Sequence, residues 1–233
     1  MVQAAEDERE FDYIKGSPKG PKKWGDLKPE WAACKNGRRQ SPIDLSLAKV
    51  RFMSQPERMT YKPFNAILQN RGYDIWHTIN GRRYDMELHM VHESLDVNVQ
   101  NRTAVVGVLY QIGHRDPFLS MLNASISSLI GHKDEEVNLG VIYPNDIQSG
   151  SPSYYRYMGS LTTPPCTEGV IWTVNTKVKT VSRSQINLLK EAVLYYAKEN
   201  ARPLQPRNNR DIFLYFSRFG TLTFTNLHPL YQM

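Results

Sequence analysis

Glu87 and His89 stand two residues apart in Tyr84-Asp85-Met86-Glu87-Leu88-His89-Met90, a run in which polar and apolar residues alternate. Alternation at period two reads as a β-strand, whose successive side chains point to opposite faces, so Glu87 and His89 share one face and Leu88 and Met90 the other. A carboxylate at that spacing can accept a hydrogen bond from one imidazole nitrogen, fix the tautomer and make the other nitrogen a more basic metal ligand. A buried His–Glu pair that serves structure alone has the same spacing, and in an arbitrary sequence it is the commoner outcome. His92 lies an odd number of residues from His89, so it faces away and reads as structural. His114, His132 and His228 sit in loop-like or tail contexts and are expected to be exposed; no His-x-His pair occurs anywhere in the chain. The hydroxyls of Thr162 and Thr163, in Ser160-Leu161-Thr162-Thr163-Pro164-Pro165, read on their own as polar turn groups.

These side chains need a sheet to hold them. Apolar runs from Ala104 (AVVGVLYQIG) and Val170 (VIWTVNTKV) read as buried strands, and two helices stand out, over 117–130 closed by Gly131 and over roughly 184–198. Everything else reads as strand and loop, which makes a β-dominated α/β domain. At 233 residues and 40% hydrophobic content the chain is long enough for one domain with a sizeable core. We expect residues 1–233 to form that domain, with 1–10 flexible. No apolar run reaches the length of a membrane span, and the charged start MVQAAEDEREF does not read as a secretory signal. The net charge of +6 comes from scattered Lys and Arg, with no basic run interleaved with aromatics, so nucleic acid is not an expected partner. Cys34 and Cys166 would be unrelated buried thiols in an intracellular protein. Asn101-Arg102-Thr103 and Asn123-Ala124-Ser125 are glycosylation sequons, and they point to a secretory route.

Five segments together carry a resemblance: GPKKW ending at Trp24, RRQSPIDL at 38–45, HTINGRRYDMELHMVHES from His77, SLTTPP from Ser160 and NARPLQP from Asn200. In this order they resemble the α-class carbonic anhydrases, over nearly the whole chain. FDYIKG, YYRYMGS and CTEG resemble the plant branch, which holds both active enzymes and dioscorin-type tuber storage proteins. The resemblance implies a twisted, mostly antiparallel central sheet with peripheral helices, and an atypical tail over 214–233. It implies a disulfide between Cys34 and Cys166, and a secreted, apoplastic or plastid location.

It also implies a site. Family members hold zinc on three histidines, a His-x-His pair on one strand and a third on the next, with an open position for water. By resemblance His89 is the third ligand and Glu87 its hydrogen-bond partner, Thr162 the gatekeeper and Thr163 its neighbour at the bicarbonate site. Val91, Val105, Leu161, Val170 and Trp172 match the apolar wall for carbon dioxide, and Tyr73 stands at the proton-shuttle position. The glutamate that should receive the gatekeeper's proton is Trp76 here, and the His-x-His pair is missing. Relative to the family pattern roughly 30–40 residues, several strands' worth, are absent before His77. The family reaction is zinc-dependent hydration of carbon dioxide to bicarbonate. This chain is expected to be impaired or inactive in it. The alternatives are a metal-free storage or binding protein, or an exon-skipped or misassembled form of an active enzyme.

Overall fold

The computed structural model describes residues 10–54, 63–69, 77–132, 135–144, 147, 153–192 and 201–216. Twelve strands are seen among them: β1 (Asp44–Leu45), β2 (Arg51–Ser54), β3 (Phe64–Gln69), β4 (Thr78–Ile79), β5 (Arg82–Arg83), β6 (Met86–Glu93), β7 (Thr103–Ile112), β8 (Glu136–Ile142), β9 (Ser153–Ser160), β10 (Glu168–Asn175), β11 (Lys179–Val181) and β12 (Ile212–Phe216). The main sheet runs β11-β7-β10-β9-β12-β2, with β6 along the other side of β7. It is a mixed sheet in which antiparallel residue pairs predominate. β7 is parallel to β10 and β11, and β12 to β2, while β6–β7, β9–β10 and β9–β12 are antiparallel. The residues 214–216 expected to begin an atypical tail continue β12 inside this sheet, between β9 and β2.

β7 is the strand the apolar run predicts, buried from Val105 to Tyr110 on both faces as a central strand must be. One of its faces joins a core of Val105, Leu109, Tyr155, Tyr157, Val170, Trp172, Val174 and Ile212. The opposite face, through Val108 and Tyr110, meets the helices α3 (Pro117–Ser128) and α4 (Arg183–Ala192). α3 begins where the chemistry allows: Asp116 caps it by accepting from the Leu119 amide at 2.9 Å, and Pro117 follows at the first helical position. The expected second helix is seen over 183–192; its remainder, to 198, lies outside the described residues. Two short helical turns, α1 (Trp24–Leu27) and α2 (Ala33–Asn36), correct the reading of the N-terminal region as strand and loop only. Four residues are too few for a periodic pattern to register. They carry Trp24 and Cys34, with Trp31 from the 3-10 turn Pro29–Trp31 between them, into a third core, where Cys34 is bonded to Cys166.

Five strands stand apart from the main sheet, β1, β4 and β5 in a small sheet of three and β3 and β8 in a pair. Among the described residues β3 and β8 pair only with each other, and they lie against the helix-side core through Leu68, Leu139 and Ile142. Among the described residues β6 is paired only along its β7 side.

Candidate functional site

β6 delivers Glu87 and His89 to the same face, as the alternation requires, and the two side chains bond. His89 Nε2 lies 2.8 Å from Glu87 Oε1. His77, just before β4, reaches the same carboxylate twice: Nδ1 at 2.8 Å from Oε1, and its backbone N–H donating to Oε2 at 2.6 Å. The ring of His77 continues the chain, with Nε2 at 2.6 Å from the Tyr157 hydroxyl, which lies 2.9 Å from Ser41 Oγ. Ser41 Oγ also accepts from the Ser160 amide at 3.1 Å. His77, Glu87, Tyr157 and Ser41 are all buried, and His89 is half-buried.

The proton order follows from the carboxylate. Burial alone would push Glu87 up, but the two imidazoles, by charge and by hydrogen bond, bring it down to about 2. An ionised carboxylate only accepts. His77 Nδ1 and His89 Nε2 therefore both donate to it. His77 Nε2 faces the hydroxyl of Tyr157, whose phenol burial holds in its protonated form, and Tyr157 bonds in turn with Ser41. Beneath both rings lies Trp172, its centroid 4.7 Å from that of His77 and 4.9 Å from that of His89, and its indole N–H donates to the Ser160 carbonyl. Glycines make room: a Cβ on Gly107 would sit 2.6 Å from Glu87 Oε1, and one on Gly159 would collide with Ser41 Oγ.

His77, Glu87 and His89 are the cluster among the described residues whose ligand atoms could gather on a metal, all within 4.8 Å of one another. The donor set does not fit a catalytic zinc. Both His77 nitrogens are engaged, Glu87 already accepts three hydrogen bonds, and of the cluster's ring nitrogens only His89 Nδ1 has no partner among the described residues. Three protein ligands are needed.

The remaining expected positions divide. Thr162 is buried, and no hydrogen bond joins its hydroxyl to another described residue; the Thr163 carbonyl accepts from the Cys166 amide at 2.8 Å. Val105, Val170 and Trp172 belong to the core, with Leu161 packed against it. Val91 does not join them, being 65% exposed at the outer side of β6. Tyr73 and Trp76 lie outside the described residues. Cys34 and Cys166 meet, with Cα atoms 5.0 Å apart. Asn101 sits in the loop before β7, whereas Asn123 lies within α3 rather than in a loop. Tyr13 and Arg202 line a cleft of about 660 Å³ with Lys15, Lys22, Arg83 and Leu204. Sequence reading did not connect Ser41 and Tyr157 to the site. Both lie inside the motifs RRQSPIDL and YYRYMGS, but no spacing rule links residues 116 apart.

Residues 76–216 match the family described as eukaryotic-type carbonic anhydrase. The chain belongs to that family. Carbonic anhydrase Nec1 of Nesocodon mauritianus is 46% identical over 243 positions, covering 92% of this chain and 88% of that protein. Dioscorin dioA3 of Dioscorea japonica is 42% identical, over 89% of this chain and 87% of its own length. Among solved structures, dioscorin complexed with ascorbate aligns with a TM-score of 0.83 at 40% identity, over 91% of this chain and all of that one. The Nec1 alignment is longer than the 233-residue chain itself, so that carbonic anhydrase carries residues here without counterpart. The family match begins at Trp76, the residue before His77.

Proposed function

We propose that this carbonic anhydrase family member keeps the scaffold without a competent centre for hydrating carbon dioxide. The observation that carries the reading is the buried chain Ser41–Tyr157–His77–Glu87–His89, which leaves one ring nitrogen where catalytic zinc takes three protein ligands. In the family reaction zinc lowers the pKa of its water to about 7 and so supplies hydroxide at neutral pH. With Trp76 in place of the gatekeeper's glutamate, Thr162 also lacks its orienting partner. The test is zinc per chain, by elemental mass spectrometry on protein equilibrated with zinc and desalted, alongside stopped-flow carbon dioxide hydration. Far less than one zinc and no rate above buffer is the expected result. Near-stoichiometric zinc that disappears in His89→Ala would overturn the reading.

A second reading, a metal-free storage or binding role, is favoured by the likeness to the dioscorin bound to ascorbate. Its mark would be saturable ascorbate binding by zinc-free protein in calorimetry. The surplus of aligned positions in Nec1 favours a third, a form shortened by exon skipping or misassembly, and sequencing transcripts across Ile75–Trp76 decides it. A secretory location with a glycan on Asn101 is consistent with the Cys34–Cys166 disulfide, a bond that persists in oxidising compartments.

A further inference from the structure

We propose that the outer edge of β6 pairs with the same edge of a second copy of this chain, antiparallel about a two-fold axis that sets Val91 opposite the partner's Val91. The Ser94 amide donates to the Arg102 carbonyl at 2.8 Å, which continues the β6–β7 register by one step. In an antiparallel ladder, alternate residues turn their backbone groups to the partner strand. Leu88, Met90 and His92 therefore bond towards β7, and His89, Val91 and Glu93 present N–H and C=O outward. Glu87, the next in this series, is buried at 5% exposure, so the accessible edge starts at His89. Among the described residues no strand covers it. The hairpin that extends from it adds exposed apolar surface, with Leu95 91%, Val97 76% and Val99 41% exposed. Unpaired edges that carry apolar side chains and no lysine are templates for association.

Two-fold pairing restricts the register. Outward-facing residues must oppose one another to exchange hydrogen bonds, so an outward residue sits at or symmetrically about the axis. With Val91 on the axis, the two exposed valines cover each other and His89, rather than a second carboxylate, opposes the partner's Glu93. Moving the axis to Met90 sets Glu87 against the partner's Glu93, two like charges. Moving it to His89 requires the buried edge at Glu87. The observations thus favour one register and a closed pair over an open series.

The experiment is sedimentation velocity over a wide concentration range, with wild type, Val91→Lys, and the cysteine variants Val91→Cys and Phe52→Cys. Phe52, 63% exposed on β2, marks the other end of the sheet and serves as the control. Wild type is expected to be dimeric and to dissociate on dilution, and Val91→Lys to be monomeric with an unchanged far-UV spectrum. Facing hydrogen-bonded residues have Cα atoms about 5.5 Å apart, within disulfide reach. Val91→Cys should therefore form a covalent dimer with oxidised glutathione, and Phe52→Cys should not. A monomer at every concentration, open-ended polymers, or covalent dimers through Phe52→Cys but not Val91→Cys would each overturn the proposal. If Val91→Lys fails to fold, the cysteine pair still decides.

Discussion

A carboxylate sealed from water is stable as an anion only when enough protons are aimed at it, and Glu87 has three. Its pKa, brought down to about 2 from an ordinary 4.5, makes it a stability term with a definite sign. Because the folded value is the lower one, the contribution is present above about pH 4.5 and is lost as the pH falls from there through about 2; its size is on the order of 3 kcal/mol. Glu87→Gln should lower stability at pH 7 by roughly that amount and flatten the acid limb of the profile between about pH 5 and 2. Urea denaturation at a series of pH values reads both effects. An unchanged acid limb would mean that Glu87 is not the anion described here. Glu87 holds His89 by Nε2, and among the described residues no partner is seen for its Nδ1.

At the scale of elements, α3 and β11 are joined by one buried side chain. Asp116 caps α3, and its Oδ2 lies 2.7 Å from the Lys179 ammonium on β11. Gln185 of α4 accepts from the Asp116 amide and donates to its carbonyl. Both ions are largely out of water, so removing one leaves the other uncompensated. Asp116→Ala should cost about 3 kcal/mol or more, from the lost cap together with the stranded Lys179. Asp116→Asn, which keeps the cap, should recover about 1 kcal/mol of it, read as a difference in urea midpoint. Equal losses in the two variants would assign the whole effect to the ion pair. The asymmetry of the sheet is also an element-scale feature. Among the described residues β6, which gathers the site, is paired on one side, and β3–β8 stands as a ladder of its own.

For the molecule as a whole, the Cys34–Cys166 bond ties the N-terminal aromatic core to the turn after Thr163 across a sequence separation of 132. A closed loop of that length contributes about 5 kcal/mol in the chain-entropy description. Reduction, or the double variant Cys34→Ser/Cys166→Ser, should lower the thermal midpoint markedly, and the aromatic core around Trp24 should register it first by tryptophan fluorescence. A midpoint insensitive to reductant would show that packing around Trp24 and Trp31 suffices.

The strands of the main core, both long helices and the shared face of Glu87 and His89 were legible in the sequence because each rests on local periodicity or on a cap within a few residues. The same local reading excluded a His-x-His pair, and the five ordered motifs pointed to the family. Tertiary structure decided what local pattern cannot encode. It joined Ser41 to Tyr157 and His77 to Glu87, put Val91 at the surface while Val105 and Trp172 went to the core, and drew 214–216 into the sheet. Those outcomes depend on which strand lies beside which and on how much water is left between them. Long-range pairing fixes both, and it is why His77, by resemblance a buried hydrogen-bonding histidine rather than a ligand, became the centre of the buried chain.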